Sequence, residues 1–181
     1  NLAVRHGWRV SVHGEHAFVD FAPGDYAGDS VDHGGGLTAY RPLSGIDDGF
    51  AVNSSVTTPT YRGFDATAKL ARARGPIFPE GSRGYETRLT ASLALRPTGS
   101  IRVGASNTLS RITRDRDGSE FARTIIPRIK LEVQPSRSLF FRVVGEYVAE
   151  RRAALADART GEPLVISGTP SSSEQSNRLR V

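Results

Sequence analysis

The chain contains no cysteine and no methionine, and Lys69 and Lys130 are its only lysines. The first absence removes disulfides, thiolate chemistry and cysteine-ligated zinc together. The second implies that the chain does not begin at a start codon, so a processed product or a fragment is expected. Residues 1–16 hold no apolar signal-peptide core, and any targeting segment is expected upstream. Also missing is any run near the roughly 18 apolar residues that a transmembrane helix needs, which excludes a helical membrane protein. Hydrophobic and charged contents of 38% and 24% are ordinary and exclude disorder. They leave a β-barrel open, because its strands alternate lipid-facing and lumen-facing residues and average to a soluble-looking composition.

The net charge is +5, almost all of it from arginine. Such a balance suits nucleic acid, anionic lipid or lipopolysaccharide phosphate. The arginines stand singly between apolar residues rather than in a basic block, which argues against nucleic acid.

Period two dominates, most clearly in the second half. From Tyr85 to Leu95 the odd positions read Tyr, Thr, Leu, Ala, Leu, Leu and the even ones are mostly polar. Pro97-Thr98-Gly99-Ser100 has tight-turn chemistry. Ile101, Val103, Ala105 and Leu109 then alternate with Arg102, Ser106, Thr108 and Ser110, with Asn107 a polar exception on the apolar side. The segment Thr113 to Ser119 is highly charged and predicts a solvated loop. A third strand is expected from Phe121 to Gln134, a tight turn at Pro135-Ser136-Arg137-Ser138, and a fourth strand from Leu139 to Tyr147. After Glu150 the pattern is irregular until about Ser176, where Asn177 to Val181 opens another strand.

The first half follows the same rule less clearly. Trp8 to Phe18 and Phe64 to Leu70 alternate, Phe50 to Thr58 suggests a strand, and Pro59-Thr60-Tyr61 a turn. A weak strand at Leu37 to Arg41 would keep the up-and-down count even, and Pro23 to Gly36 has no assignable pattern. Ala149 to Arg159 has a helical composition but is expected to be an external loop with a helical turn. The fold class is therefore all-β: an antiparallel up-and-down meander of about eight strands forming part of an outer-membrane barrel. Short turns lie at one end and long loops at the other, with residues 1–181 a single segment. Strands of about 12 residues exceed the ~5–6 usual in globular sheets and suit a tilted crossing.

With the apolar faces toward lipid, Glu86, Arg88, Arg102, Arg128, Lys130, Glu132, Arg142 and Glu146 would line the lumen. Their mixed signs point first to cross-bracing of the wall, since buried charges must be paired, and second to a substrate path. Arg123 falls on the apolar side, a cost of about 2–4 kcal/mol at mid-membrane. Arg111 and Arg151 share its parity and level near the loop end. With Tyr147 nearby they form an outer-rim set for lipopolysaccharide phosphates; snorkelling to water is the simpler alternative.

Enzymatic motifs are weak. His33-Gly34-Gly35-Gly36 is similar to an esterase oxyanion loop, but no G-x-S-x-G elbow accompanies it. His13, Glu15 and His16 cannot converge on a metal from one strand, because His16 faces the other way. Asp115-Arg116-Asp117-Gly118 lacks the third ligand and the terminal glutamate of a calcium loop; Asp25, Asp29 and Asp32 lack its spacing too, and a loose external calcium site is the alternative reading there. No cofactor and no catalytic residue is predicted.

Residues Leu89 to Leu164 resemble a family of bacterial outer-membrane proteins. Its members carry a carbohydrate-binding-like module near the N-terminus and a C-terminal β-barrel of unknown function. The resemblance rests on Thr87-Arg88-Leu89 through Leu95-Arg96-Pro97, Ile126-Pro127-Arg128 through Leu131, Ser136 through Arg142, Glu146-Tyr147, Asp157 to Leu164 with Thr160-Gly161, and Asn177 to Arg180. It covers less than half the chain. It implies the C-terminal part of a longer barrel, without its final hairpin or its N-terminal module. The implied location is the Gram-negative outer membrane, and the implied partners are outer-membrane lipid, lipopolysaccharide and the rest of the barrel, with glycan a further ligand. The alternative is a soluble antiparallel β-domain that binds glycans. A third reading is the barrel of a membrane-associated hydrolase whose catalytic residues lie elsewhere.

Overall fold

A computed structural model of the chain describes Leu2–Ala3 and residues 7–181. The strands are β1 (Leu2–Ala3), β2 (Arg9–Asp20), β3 (Ser30–Asp32), β4 (Leu37–Ala39), β5 (Gly45–Thr57), β6 (Phe64–Ile77), β7 (Ser82–Thr98), β8 (Ile101–Arg114), β9 (Glu120–Ser136), β10 (Leu139–Arg152), β11 (Leu164–Ile166), β12 (Thr169–Pro170) and β13 (Glu174–Arg180). The main sheet runs β1-β2-β5-β6-β7-β8-β9-β10-β13, antiparallel throughout. Eight of its strands are long and β1 is a two-residue pairing. The all-β antiparallel meander expected from the alternation is what the chain forms. The sheet is open, with β1 and β13 at its edges.

Turn chemistry sets the hairpins. Gly99-Ser100 joins β7 to β8 and Arg137-Ser138 joins β9 to β10, each beside a register shift, at Leu95/Thr98 and Leu139/Phe141. Such bulges bend a strand into its turn. Pro127 lies inside β9 and has no N–H to give. Pairing of β9 with β10 lapses opposite Tyr147 and Val148, where that donor is missing.

The two ends of the sheet differ. One carries the connections 58–63, 99–100 and 137–138; the other carries 21–44, 78–81, 115–119 and 153–173. The longest two, 21–44 and 153–173, build a second sheet together, in the order β12-β11-β3-β4. Its hairpin β11-β12 turns through Ser167 and Gly168, both at positive φ (48° and 85°), as a two-residue primed turn requires.

The fully buried apolar cluster lies at this end. It comprises Phe21, Tyr26, Val31, Tyr40, Ile46 and Leu164, with Val19, Leu43, Leu155 and Ile166 packed against it. Phe21, Tyr26 and Tyr40 meet edge to face, a favoured aromatic geometry. The molecule is thus a long two-faced sheet with a compact cap over its loop end.

Three segments depart from the sequence pattern. The weak strand at 37–41 exists as β4, but in the cap sheet rather than in the meander. The stretch 149–159 forms no helix: β10 continues to Arg152, and a loop follows that holds a bridge between Ala156 and Pro163 and a single turn, in which the Gly161 N–H donates to the Asp157 carbonyl at 3.0 Å. The irregular region before Ser176 contains the β11-β12 hairpin.

Candidate functional site

Directly opposite residues share a face in an antiparallel sheet, so the register sorts every strand. One face carries Glu86, Arg88, Thr90 and Ser92 of β7. Next to them lie Arg102, Ser106, Thr108 and Ser110 of β8, then Arg128, Lys130 and Glu132 of β9, and Arg142 and Glu146 of β10. All eight charges expected to line a lumen therefore lie on this face. It extends through Lys69 and Thr67 to Ser55, Asn53, Ser11 and His13.

Several of the charges brace neighbouring strands. Arg142 donates to Glu132 (2.7 Å), which Lys130 also approaches (3.4 Å). The Ser110 hydroxyl of β8 donates to Glu86 Oε1 of β7 at 2.9 Å, and Arg88 of the same strand donates to that oxygen at 2.6 Å. Glu146 approaches Arg180 of β13 at 3.8 Å. Arg102 and Arg128 lie opposite Glu132 and Glu146 in the register.

The other face is apolar: Val12, Val52, Val56, Leu70, Leu89, Leu93, Leu95, Leu109, Ile125, Ile129, Leu131, Phe141, Val143, Tyr147 and Leu179. Apart from the half-buried Leu109 and Ile125, these side chains are exposed: Leu70 is 48% exposed, Leu89 44%, Ile129 61% and Val143 56%. The cap does not cover them, and among the described residues no second layer does. Aromatic residues mark both margins. Tyr61 stacks on Phe64 at the turn end (4.8 Å), and Tyr85 lies beneath Arg72 and Arg74 at the loop end (5.3 and 5.7 Å).

Between the apolar band and the loops runs a row of arginines. Arg111 is directly opposite Arg123, and Arg123 directly opposite Arg151. Arg111 also pairs with Thr87, which pairs with Arg72. The three rim arginines expected from parity are brought together, and Arg72 joins their row. Its identity as a fourth member was legible only once the register of β6 on β7 was known. Tyr147 lies on the same face, four residues toward the turn end from Arg151.

The cap rests on a buried ion pair that the sequence did not reveal. Arg114, expected in a solvated loop, ends β8 with its side chain 9% exposed, against 1% for Glu80. Its Nε and Nη2 donate to the Glu80 carboxylate at 2.5–3.0 Å. Glu80 also accepts from Ser82 Oγ (3.3 Å) and the Ala156 backbone N–H (2.9 Å). Arg114 donates further to the Ala154 carbonyl (2.7 Å) and Ser119 Oγ (3.2 Å) and lies over the Phe121 ring. One pair thereby ties the 78–81 turn, β8 and the 153–163 loop together. Beside it, Leu43, Arg83, Asp115, Arg116 and Asp157 help to enclose a mixed-charge cavity of about 330 Å³.

Three carboxylates at the loop end have lowered pKa values. Burial alone would raise Asp157, but hydrogen bonds from the Thr160 hydroxyl and backbone outweigh it and hold its carboxyl below the usual range. Glu162 is lowered by His33 (2.9 Å) and then by Thr160. Asp117 is lowered by Arg116 and then by Ser119.

His13 pairs with Glu15 (3.1 Å) on the polar face, while His16 is on the other face against Phe18. His33 donates to or accepts from Thr38 and pairs with Glu162, with no serine nucleophile beside it. Among the described residues no cluster of three metal-ligating side chains occurs.

No family model, curated protein or solved structure matches the chain.

Proposed function

We propose that the chain is a segment of a Gram-negative outer-membrane β-barrel with a structural, transport or surface-binding role and no catalysis of its own. The observation that carries this reading is the apolar face: it spans the sheet, is edged by aromatic residues, and has no protein layer on it among the described residues. In water such a surface far exceeds the few hundred Å² of contiguous apolar patch that soluble monomers expose. In a bilayer it is the lipid-facing wall, and the braced polar face is the lumen side. On β9 the band runs from Val133 to Ile125. That is about 26 Å along the strand at ~3.3 Å per residue, or about 20 Å of height at a tilt near 40°, close to the ~25 Å of a barrel's apolar band.

The soluble glycan-binding alternative needs a second sheet over the same face, and the four-stranded sheet packs at the loop end instead. The resemblance of Leu89 to Leu164 to the C-terminal barrel of outer-membrane proteins with a carbohydrate-binding-like module points the same way. On that reading the open edges at β1 and β13 are completed by further strands, since an unpaired edge is not tolerated in hydrocarbon.

Fractionation of the envelope of cells carrying the full-length protein tests the proposal, followed by electrophoresis in detergent with and without boiling. Outer-membrane location and a mobility shift on boiling are expected. A soluble, unshifted protein would overturn the membrane reading in favour of the glycan-binding domain.

A further inference from the structure

The arginine row is costly as it stands. Arg111, Arg123 and Arg151 are consecutive cross-strand neighbours, and like charges directly opposite destabilise a sheet. Their partners in the protein do not balance them. Arg111 donates to Glu120 (2.7 Å), Arg151 to the neutral Gln175 amide (3.3 Å) and Arg72 to the Thr87 hydroxyl (3.2 Å). Arg123 has no hydrogen bond or ion pair among the described residues. Four guanidinium groups thus meet a single carboxylate, at the border between the apolar band and the capped end.

We infer that this row binds the phosphate groups of lipopolysaccharide lipid A at the rim of the outer leaflet. The inference rests on the membrane reading given under Proposed function. Neighbouring strands are about 4.8 Å apart, so the contiguous trio presents three guanidinium forks over roughly 10 Å. Each fork matches a phosphate in bidentate geometry, which a lysine would not. A groove of about 280 Å³ adjoins them, walled by Ile125 and Ala149 between Arg123 and Arg151 and bounded by Gln175, Asn177 and Glu150, whose carboxylate is paired with Arg178 at 3.2 Å. It sets anion-binding nitrogens beside apolar wall, the combination that a phosphorylated acylated sugar presents. Long loops mark the outward end of a barrel, the side on which lipopolysaccharide phosphates lie. Glycerophospholipid headgroups supply phosphate on the other side.

The test uses the full-length protein reconstituted in phosphatidylcholine vesicles doped with bisphosphorylated lipid A, dephosphorylated lipid A or phosphatidylglycerol. Association is read by fluorescence transfer from labelled lipid. Preference for bisphosphorylated lipid A is expected, and Arg111→Gln, Arg123→Gln and Arg151→Gln together should weaken it at least about tenfold. The boiling-dependent mobility shift should stay intact. Arg123→Gln alone removes a side chain with no protein partner, so it reports even if the triple variant fails to fold; a loss of about threefold or more is expected. Equal association with dephosphorylated lipid A or phosphatidylglycerol would overturn the inference, as would an unchanged Arg123→Gln variant. A protein that does not enter vesicles at all would overturn the membrane reading itself, which separates the two failures.

Discussion

Replacing Glu80 by glutamine keeps the shape of the side chain and removes its charge, which leaves the Arg114 guanidinium buried without a counter-ion. Both partners are nearly excluded from solvent, so the solvent screening that makes surface pairs weak does not apply. Breaking a buried pair from one side costs about 3–5 kcal/mol. The loss falls on the cap, because the same carboxylate holds the Ala156 N–H and Arg114 holds the Ala154 carbonyl. Hydrogen exchange reports it locally. The Asp157 and Leu164 amides, bonded to the Glu162 and Leu155 carbonyls, close the 153–163 loop without touching Glu80. At about 1.4 kcal/mol per factor of ten, their exchange should quicken by roughly two to three and a half orders of magnitude. The double replacement Glu80→Leu with Arg114→Met removes both charges and should recover at least about 1 kcal/mol relative to Glu80→Leu alone. Recovery stays incomplete, because Ala156 N–H and Ala154 C=O remain unpaired. Exchange within threefold of the parent in Glu80→Gln, or strict additivity in the double variant, would refute the assignment of the pair as the cap's anchor.

Gly81 has φ of +48°, and a Cβ there would meet Pro42 at 2.4 Å and Tyr26 at 3.0 Å; Gly81→Ala should loosen the cap by about 1–3 kcal/mol, read by the same amides. Asp157, Glu162 and Asp117 have folded-state pKa values below their unfolded ones. Their contribution is therefore full above the ordinary carboxylate range near pH 4 and is lost as pH falls through the depressed values. Exchange in residues 115–119 and 153–163 should accelerate below about pH 4, beyond what the intrinsic chemistry gives. Adjacent residues of β7 should respond oppositely to charge. Leu93→Arg is expected to cost about 2–4 kcal/mol in urea unfolding from vesicles, and Ser92→Arg less than about 1 kcal/mol.

The meander was legible because its signal is local. Alternation in β7 to β10 fixes each face residue by residue, and Gly99-Ser100 and Arg137-Ser138 mark the reversals where the strands turn. Parity also placed Arg111, Arg123 and Arg151 at one level. The cap was not legible. Its strands β3, β4, β11 and β12 are two or three residues long, too short for a period, and β3 pairs with β11 across more than a hundred residues of sequence. A faint signal was there: Phe21, Tyr26, Val31 and Tyr40 are large apolar residues in a Gly- and Asp-rich stretch, and Leu164-Val165-Ile166 is an apolar triplet in a polar one. Arg114 looked solvated because its neighbours Asp115, Arg116 and Asp117 are charged. Only the tertiary structure shows that the last residue of β8 turns inward to Glu80.

The most direct test uses the absence of cysteine from residues 1–181, with any cysteine elsewhere in the full-length protein replaced by serine. Single cysteines placed in turn from Leu89 to Ala94 of β7 in the full-length protein, each carrying an environment-sensitive fluorophore, are exposed to a lipid-borne quencher and to aqueous iodide. Strict alternation is expected: labels at 89, 91 and 93 quenched from the lipid, and labels at 90, 92 and 94 shielded from it. Odd positions that the lipid quencher never reaches, or six positions that respond alike, would contradict a sheet whose apolar face is its membrane face.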